Sequence, residues 1–75
     1  MRYSGRMKLL VVGGGGREDV ICWKLAQDDP SADVFCAPGN AGTARHAVNL
    51  SIGAEDVHGL LRWASVERPD LTVVG

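Results

Sequence analysis

Hydrophobic and polar positions follow two different periods along the chain, and the switches between them mark the elements. Lys8–Val12, "KLLVV", is an apolar run, the pattern of a strand buried on both faces. Four consecutive glycines, Gly13–Gly16, end it. From Arg17 to about Asp29 the apolar positions take helical spacing. Ile21, Cys22, Leu25 and Ala26 share one face, Trp23 stands at its edge, and Lys24, Gln27 and Asp28 lie outside it. Asp28-Asp29-Pro30-Ser31 stops the helix, because proline disfavours helix at the residue before it. Asp33–Ala37, "DVFCA", reads as a second short strand. Pro38–Ala44, "PGNAGTA", carries the residues of a loop. Val48, Leu50 and Ile52 alternate with Asn49 and Ser51, which predicts a third strand, exposed on one side and near an edge.

A second helix is predicted from about Ala54 to Glu67. Val57, Leu60, Leu61 and Ala64 form a single stripe at i, i+3, i+4 and i+7. Glu55 and Asp56 in its first turn complement the helix dipole. Gly59 inside it costs roughly 1 kcal/mol relative to alanine. Pro69 closes it, and Leu71–Val74, "LTVV", reads as a fourth buried strand.

The order strand-helix-strand-loop-strand-helix-strand predicts an α/β fold: a parallel, Rossmann-like sheet of four strands with two helices packed on it. With right-handed crossovers, a strand order of 3-2-1-4 puts the two helices on opposite faces. The order then reverses beside the first strand. Open α/β sheets bind ligands at such a switch point, outside the carboxyl ends of the strands. Gly13–Gly16 and the "PGNAG" loop both lie there. The fourth strand leaves an open edge, so the sheet reads as incomplete.

The 75 residues allow one small domain at most. Met1–Arg6, "MRYSGR", reads as a polar N-terminal extension, and residues 7–75 as a partial N-terminal α/β domain. A net charge of -1 gives no electrostatic case for a nucleic acid or an anionic membrane. Leu9–Val12 is too short for a membrane span or a secretory core. Cys22 and Cys36 form no C-x-x-C pair, and His46 and His58 do not complete a zinc spacing. The two cysteines read as small buried thiols in a reducing cytosol. His58 falls at the polar edge of its helix, and His46 follows the loop. No nucleophile–base pair or metal cluster is visible, so no catalytic or metal-ligating residue is assigned.

The glycines narrow the chemistry. A dinucleotide fingerprint needs G-x-G-x-x-G or G-x-G-x-x-A, but the last place falls on Glu18 or Asp19. No acid follows the second strand to grip a ribose, and no G-K-[ST] follows the glycines, which excludes a P-loop. A smaller anion site survives: bare amides and a first helical turn can face a phosphate, with Arg17 as a forked cation. Glu18 either caps the helix or binds a ligand hydroxyl. The other reading of Gly13–Gly16 is a tight turn with close helix–strand packing, and spacing alone does not separate the two. "PGNAGT" poses the same choice. Asn40 and Thr43 offer side-chain hydrogen bonds, and Gly39 and Gly42 permit unusual dihedrals, yet a well-made surface turn needs the same residues. Two glycine loops at one sheet edge favour a shared ligand cleft.

"MKLLVVGGGGRE" (Met7–Glu18), "WKLAQ" (Trp23–Gln27), "APGNAGTA" (Ala37–Ala44) and "DLTVVG" (Asp70–Gly75) together resemble the start of the phosphoribosylamine–glycine ligase family. The resemblance runs from Met7 to Gly75, and the pairing of the two glycine loops makes it specific. It implies the α/β domain type that precedes an ATP-grasp module. It implies a cytoplasmic enzyme that joins glycine to 5-phosphoribosylamine with ATP and magnesium, whose binding residues lie outside this chain. It places the phosphosugar side of the site on Gly14, Gly15, Gly16, Arg17 and Glu18, and on Pro38, Gly39, Asn40, Gly42 and Thr43. The family continues Arg-Glu with histidine, where Asp19 stands here. The expected partners are the missing domains of the same enzyme, or a second copy through the open sheet edge. Alone, the 75 residues are expected to be inactive. The alternative is a free-standing module that binds a phosphorylated metabolite or a protein partner without catalysis.

Overall fold

A computed structural model describes residues 7–75. Strand β1 (Lys8–Gly13) leads into helix α1 (Gly16–Asp28) and strand β2 (Asp33–Pro38). A short 3-10 turn at Thr43–Arg45 precedes strand β3 (Val48–Asn49), helix α2 (Val57–Glu67) and strand β4 (Leu71–Val74). The reading of Met1–Arg6 as a polar extension lies outside the described residues.

The four strands form one parallel sheet in the order β3-β2-β1-β4, as the alternation of elements predicts. β1 is the central element: it pairs with β2 from Lys8↔Asp33 to Gly13↔Pro38, and with β4 from Leu9↔Leu71 to Val12↔Val74. That register sets the ends of β1 and β2 abreast, so the two glycine-rich loops leave the sheet side by side.

The period of two divides the core into two layers. On one face Leu9 and Val11 of β1, and Val34 and Cys36 of β2, meet Cys22, Ile21 and Leu25 of α1. On the other, Leu10, Val12 and Ala37 meet Phe35, Leu50, Ile52, Leu60 and Trp63. Leu9–Val12 are all buried, which explains why β1 reads as an uninterrupted apolar run. The end of the sheet away from the loops is tied by polar groups. Lys8 N–H donates to Asp70 Oδ2 at 2.8 Å, and Lys8 Nζ pairs with Glu67 Oε1 at 2.8 Å.

Four expectations are corrected. β4 forms as a strand but is not buried, since it pairs with β1 on one side only among the described residues and leaves Leu71 and Val74 49% and 74% exposed. β3 does not extend to Ile52. It covers only Val48 and Asn49, and after Leu50 N–H donates to the Cys36 carbonyl at 2.8 Å the chain leaves the sheet. Leu50 and Ile52 then pack into the α2 layer, so their alternation with polar residues reflects burial without strand pairing. α2 begins at Val57, not near Ala54. Asp56 is the N-cap, and its Oδ1 accepts the Gly59 N–H at 2.9 Å. The buried side of α2 is also rotated from the expected stripe. Leu60, Trp63 and Ala64 turn toward the sheet, and the Trp63 ring meets Phe35 edge-on at 5.1 Å. Val57 and Leu61 remain 60% and 63% exposed.

Candidate functional site

The site is built on the end of β1. Gly13 closes the strand with φ +141°, a conformation that suits glycine alone. A side chain there would also meet Glu18, whose Cγ lies 2.6 Å from the position of a Cβ. Gly14 is required for a different reason: a Cβ on it would come within 2.9 Å of the Gly39 carbonyl oxygen. The two loops therefore touch backbone to backbone, and Gly39 N–H donates to the Gly13 carbonyl at 3.0 Å. The Cys36 thiol donates to the same carbonyl at 3.3 Å from within the core.

Glu18 caps the start of α1. It is 8% exposed, and Oε1 accepts the Gly15 N–H at 2.7 Å. This is the acidic arm of a capping box; the reciprocal arm is missing because Gly15 has no side chain. The carboxylate also lies against Gly75, where a Cβ would fall 2.6 Å from Glu18 Cδ. Gly14, Gly15, Gly16 and Arg17 are exposed beside it. The first-turn N–H groups of α1 have no carbonyl partner inside the helix, so this surface presents donors and a positive helix end.

The second loop is held by Asn40. Its Nδ2 donates to the Gly14 and Gly15 carbonyls at 2.8 and 3.1 Å, joining the two loops. Its Oδ1 accepts the Thr43 N–H at 2.9 Å, while its own N–H donates to Thr43 Oγ1 at 2.7 Å. Thr43 is fully buried. Its hydroxyl proton has Asn49 Oδ1 at 2.7 Å and the Asn40 carbonyl at 2.9 Å as acceptors. Asn49 Nδ2 donates to that carbonyl at 2.8 Å. Gly39, at φ +74°, leaves the space that the Asn49 side chain fills. The Thr43 hydroxyl is thus held by partners within the loop. Asn49 is a member of the site that sequence reasoning missed. No local spacing marks it, because β3 pairing across to Cys36 brings it there.

Of the ten predicted residues, the structure brings both groups together at one sheet edge. Gly14–Arg17 and Pro38 are exposed, Gly39, Asn40 and Gly42 half-buried, and Glu18 and Thr43 buried. Asp19 is half-buried against the second loop, with its carboxylate where a Cβ on Gly42 would stand. The cleft rim therefore carries Arg17 as a cation and Asp19 as an anion, with Glu18 already engaged. Burial, with Cys36 beside it, pushes the Cys22 thiol up to about 12, and burial raises Cys36 as well. Both are free thiols held protonated below the site. His46 is half-buried and His58 exposed. Among the described residues no three His, Cys, Asp or Glu side chains gather to hold a metal ion. No helix among them is long and apolar enough to cross a membrane.

A parallel sheet whose switch point carries a glycine-rich strand-to-helix turn defines a Rossmann-like α/β domain. The family model described as "Phosphoribosylglycinamide synthetase, N domain" matches residues 7–75, and the chain belongs to that family. Proteins named phosphoribosylamine–glycine ligase are similar to it over 71 residues. Those of Escherichia coli (strain K12) and Xanthomonas campestris are 51% identical, and that of Allochromatium vinosum 48%. Each alignment covers 92% of this chain but only 16% or 17% of the relative. The chain thus spans about a sixth of the length of the curated relatives it matches.

Proposed function

We propose that residues 7–75 serve as part of the N-terminal α/β domain of an ATP-dependent ligase. That ligase joins glycine to 5-phosphoribosylamine in cytoplasmic de novo purine biosynthesis, and the cleft between Gly14–Glu18 and Pro38–Thr43 supplies its phosphosugar side. The observation that carries the reading is Gly16. Gly13, Gly14 and Gly15 each have protein atoms where a side chain would go, but Gly16 has none within 4 Å. An exposed glycine at the first position of a helix, with no packing reason, is explained by a ligand that approaches the backbone. A phosphate fits that approach: N–H groups and the helix dipole face it, and Arg17 adds a fork. Asn40 and Thr43 act in this reading by fixing the loops, and Glu18 by fixing the start of the helix.

The magnesium ion and ATP are assigned to polypeptide outside this chain. The test is a titration of the isotope-labelled 75-residue chain with ribose 5-phosphate. The expected result is saturable amide shifts at Gly14–Arg17 that inorganic phosphate reproduces in part. Unmoved amides there at millimolar ligand would remove the phosphosugar assignment.

A further inference from the structure

Asn49 stands on the exposed edge strand β3, yet both ends of its side-chain amide are engaged by the second loop. The protons there have one arrangement. A carbonyl oxygen has two lone pairs. Those of the Asn40 carbonyl take the Ala44 N–H at 3.1 Å and Asn49 Nδ2 at 2.8 Å. The Thr43 hydroxyl accepts the Asn40 N–H at 2.7 Å and passes its own proton to Asn49 Oδ1 at 2.7 Å. Asn49 thus closes a ring that holds both main-chain groups of Asn40, one directly and one through Thr43.

The consequence reaches the first loop. With its backbone fixed, Asn40 aims Nδ2 at the Gly14 and Gly15 carbonyls at 2.8 and 3.1 Å. The peptides that follow Gly14 and Gly15 are trans. In a trans peptide the carbonyl and the next N–H point opposite ways. Drawing the two carbonyls toward Asn40 therefore turns the Gly15 and Gly16 N–H groups to the other side. Gly15 N–H meets Glu18 Oε1 at 2.7 Å. Gly16 is exposed at the start of α1, and its N–H has no hydrogen-bond partner among the described residues.

We propose that Asn49 is a positioning residue of the cleft. Acting through Asn40, it sets the peptide planes of the glycine loop so that the free Gly16 N–H is held ready for the ligand's phosphate. The proposal rests on the phosphosugar reading of this cleft. The register Cys36↔Asn49 supplies the fixed point, and Gly39, at φ +74°, leaves the room for the Asn49 side chain.

The test uses Asn49→Asp in the labelled 75-residue chain. This change keeps the size of the side chain and an acceptor for Thr43, but removes the donor to the Asn40 carbonyl. The position lies outside the core, so the folded spectrum should persist; Asn49→Ser, which adds no charge, is the second variant. The expected result is a shift of the Gly15 and Gly16 amides in the free chain and about fivefold weaker ribose 5-phosphate binding, the effect of one lost hydrogen bond. Val48→Thr, at a 58% exposed position on the same strand, should do neither. In an Asn40→Ala background the link between the loops is already gone, and Asn49→Asp should change the affinity by less than about twofold. Unmoved Gly15 and Gly16 amides overturn the proposal, as does an unchanged affinity. So does the same factor in both backgrounds, which would mark a general loosening of the chain. If ribose 5-phosphate moves no amide of the unsubstituted chain, the phosphosugar reading falls alone, and the free-chain amides still decide whether Asn49 orients the loop.

Discussion

Four glycines in a row look like one feature but answer to different neighbours. Gly13 needs its positive φ, and Gly14 needs room for the Gly39 carbonyl. A Cβ on Gly15 would stand 3.2 Å from Glu18 Oε1, and one on Gly16 would face open space. Gly14→Ala should therefore destabilise by about 1–3 kcal/mol, since backbone must shift to admit the methyl. Gly16→Ala should leave urea stability unchanged or raise it by up to about 1 kcal/mol, the helix propensity gain. The same Gly16→Ala change should weaken ribose 5-phosphate binding at least tenfold. Unchanged binding would strip Gly16 of its role in the phosphosugar reading. The need for glycine was legible in the sequence, but its division among four positions was not, because the deciding atoms belong to Glu18 and to the second loop. Asn40 and Thr43 show the same limit. Their i, i+3 spacing marks a local hydrogen-bonded turn, yet Asn49 supplies the third partner through sheet pairing, and that turns the Thr43 hydroxyl inward. Cys22 gives a second prediction. Its pKa is raised from 9.0 to about 12 in the folded chain. The unfolded chain loses this proton first as pH rises. The associated stability is fully present below pH 9 and is lost progressively between pH 9 and about 12. Urea midpoints should fall across that window, and Cys22→Ala should flatten the fall. A thiol reagent at pH 8 should leave both cysteines of the native chain unmodified.

Elements were legible where their pattern is set within the element. β1, α1, β2 and β4 follow from apolar runs and helical spacing, and the order β3-β2-β1-β4 follows from their alternation. α2 shows where this fails. Its stripe at Val57, Leu60, Leu61 and Ala64 gives an apolar face, but which flank of that face is buried depends on Phe35, Leu50 and Ile52. Those residues draw Leu60 and Trp63 inward and leave Leu61 outside. The same neighbours explain β3, since Leu50 and Ile52 are buried by packing against α2 rather than by pairing. The C-terminal end of α2 carries a conformational cost. Arg68 caps the helix in the left-handed region at φ 54°, and its N–H donates to the Ala64 carbonyl at 2.8 Å. Glycine adopts that region without the side-chain penalty. Arg68→Gly should raise stability by about 0.5–1 kcal/mol in urea unfolding with an unchanged slope. A loss of stability would mean that the Arg68 side chain contributes contacts that outweigh its backbone strain.

At the scale of the whole molecule the two faces of the sheet are unequal. On one, α1 packs on both β1 and β2, and Val11, Cys22 and Cys36 are fully buried between them. On the other, no residue of α2 is fully buried, and Leu60, Trp63 and Ala64 only reach intermediate exposure. A chain of this size buries a modest share of its surface, so the thinly covered face has little margin. Local opening follows local packing: segments with few buried apolar contacts exchange their amides from low-energy openings, and well-packed ones only on global unfolding. The cleft loops belong to the firm half, because Asn40 joins them and Cys36 and Gly39 fix the Gly13 carbonyl from below. Native-state hydrogen exchange should therefore split the molecule. Amides of Val11, Cys22 and Cys36 should exchange slowest, near the global rate. Those of Leu61 and Ser65 in α2 and of Val74 at the open edge should exchange at least tenfold faster. Equal protection of Leu61 and Cys22 would mean that α2 is held as firmly as α1. The asymmetry read from burial would then not govern the dynamics of the fold.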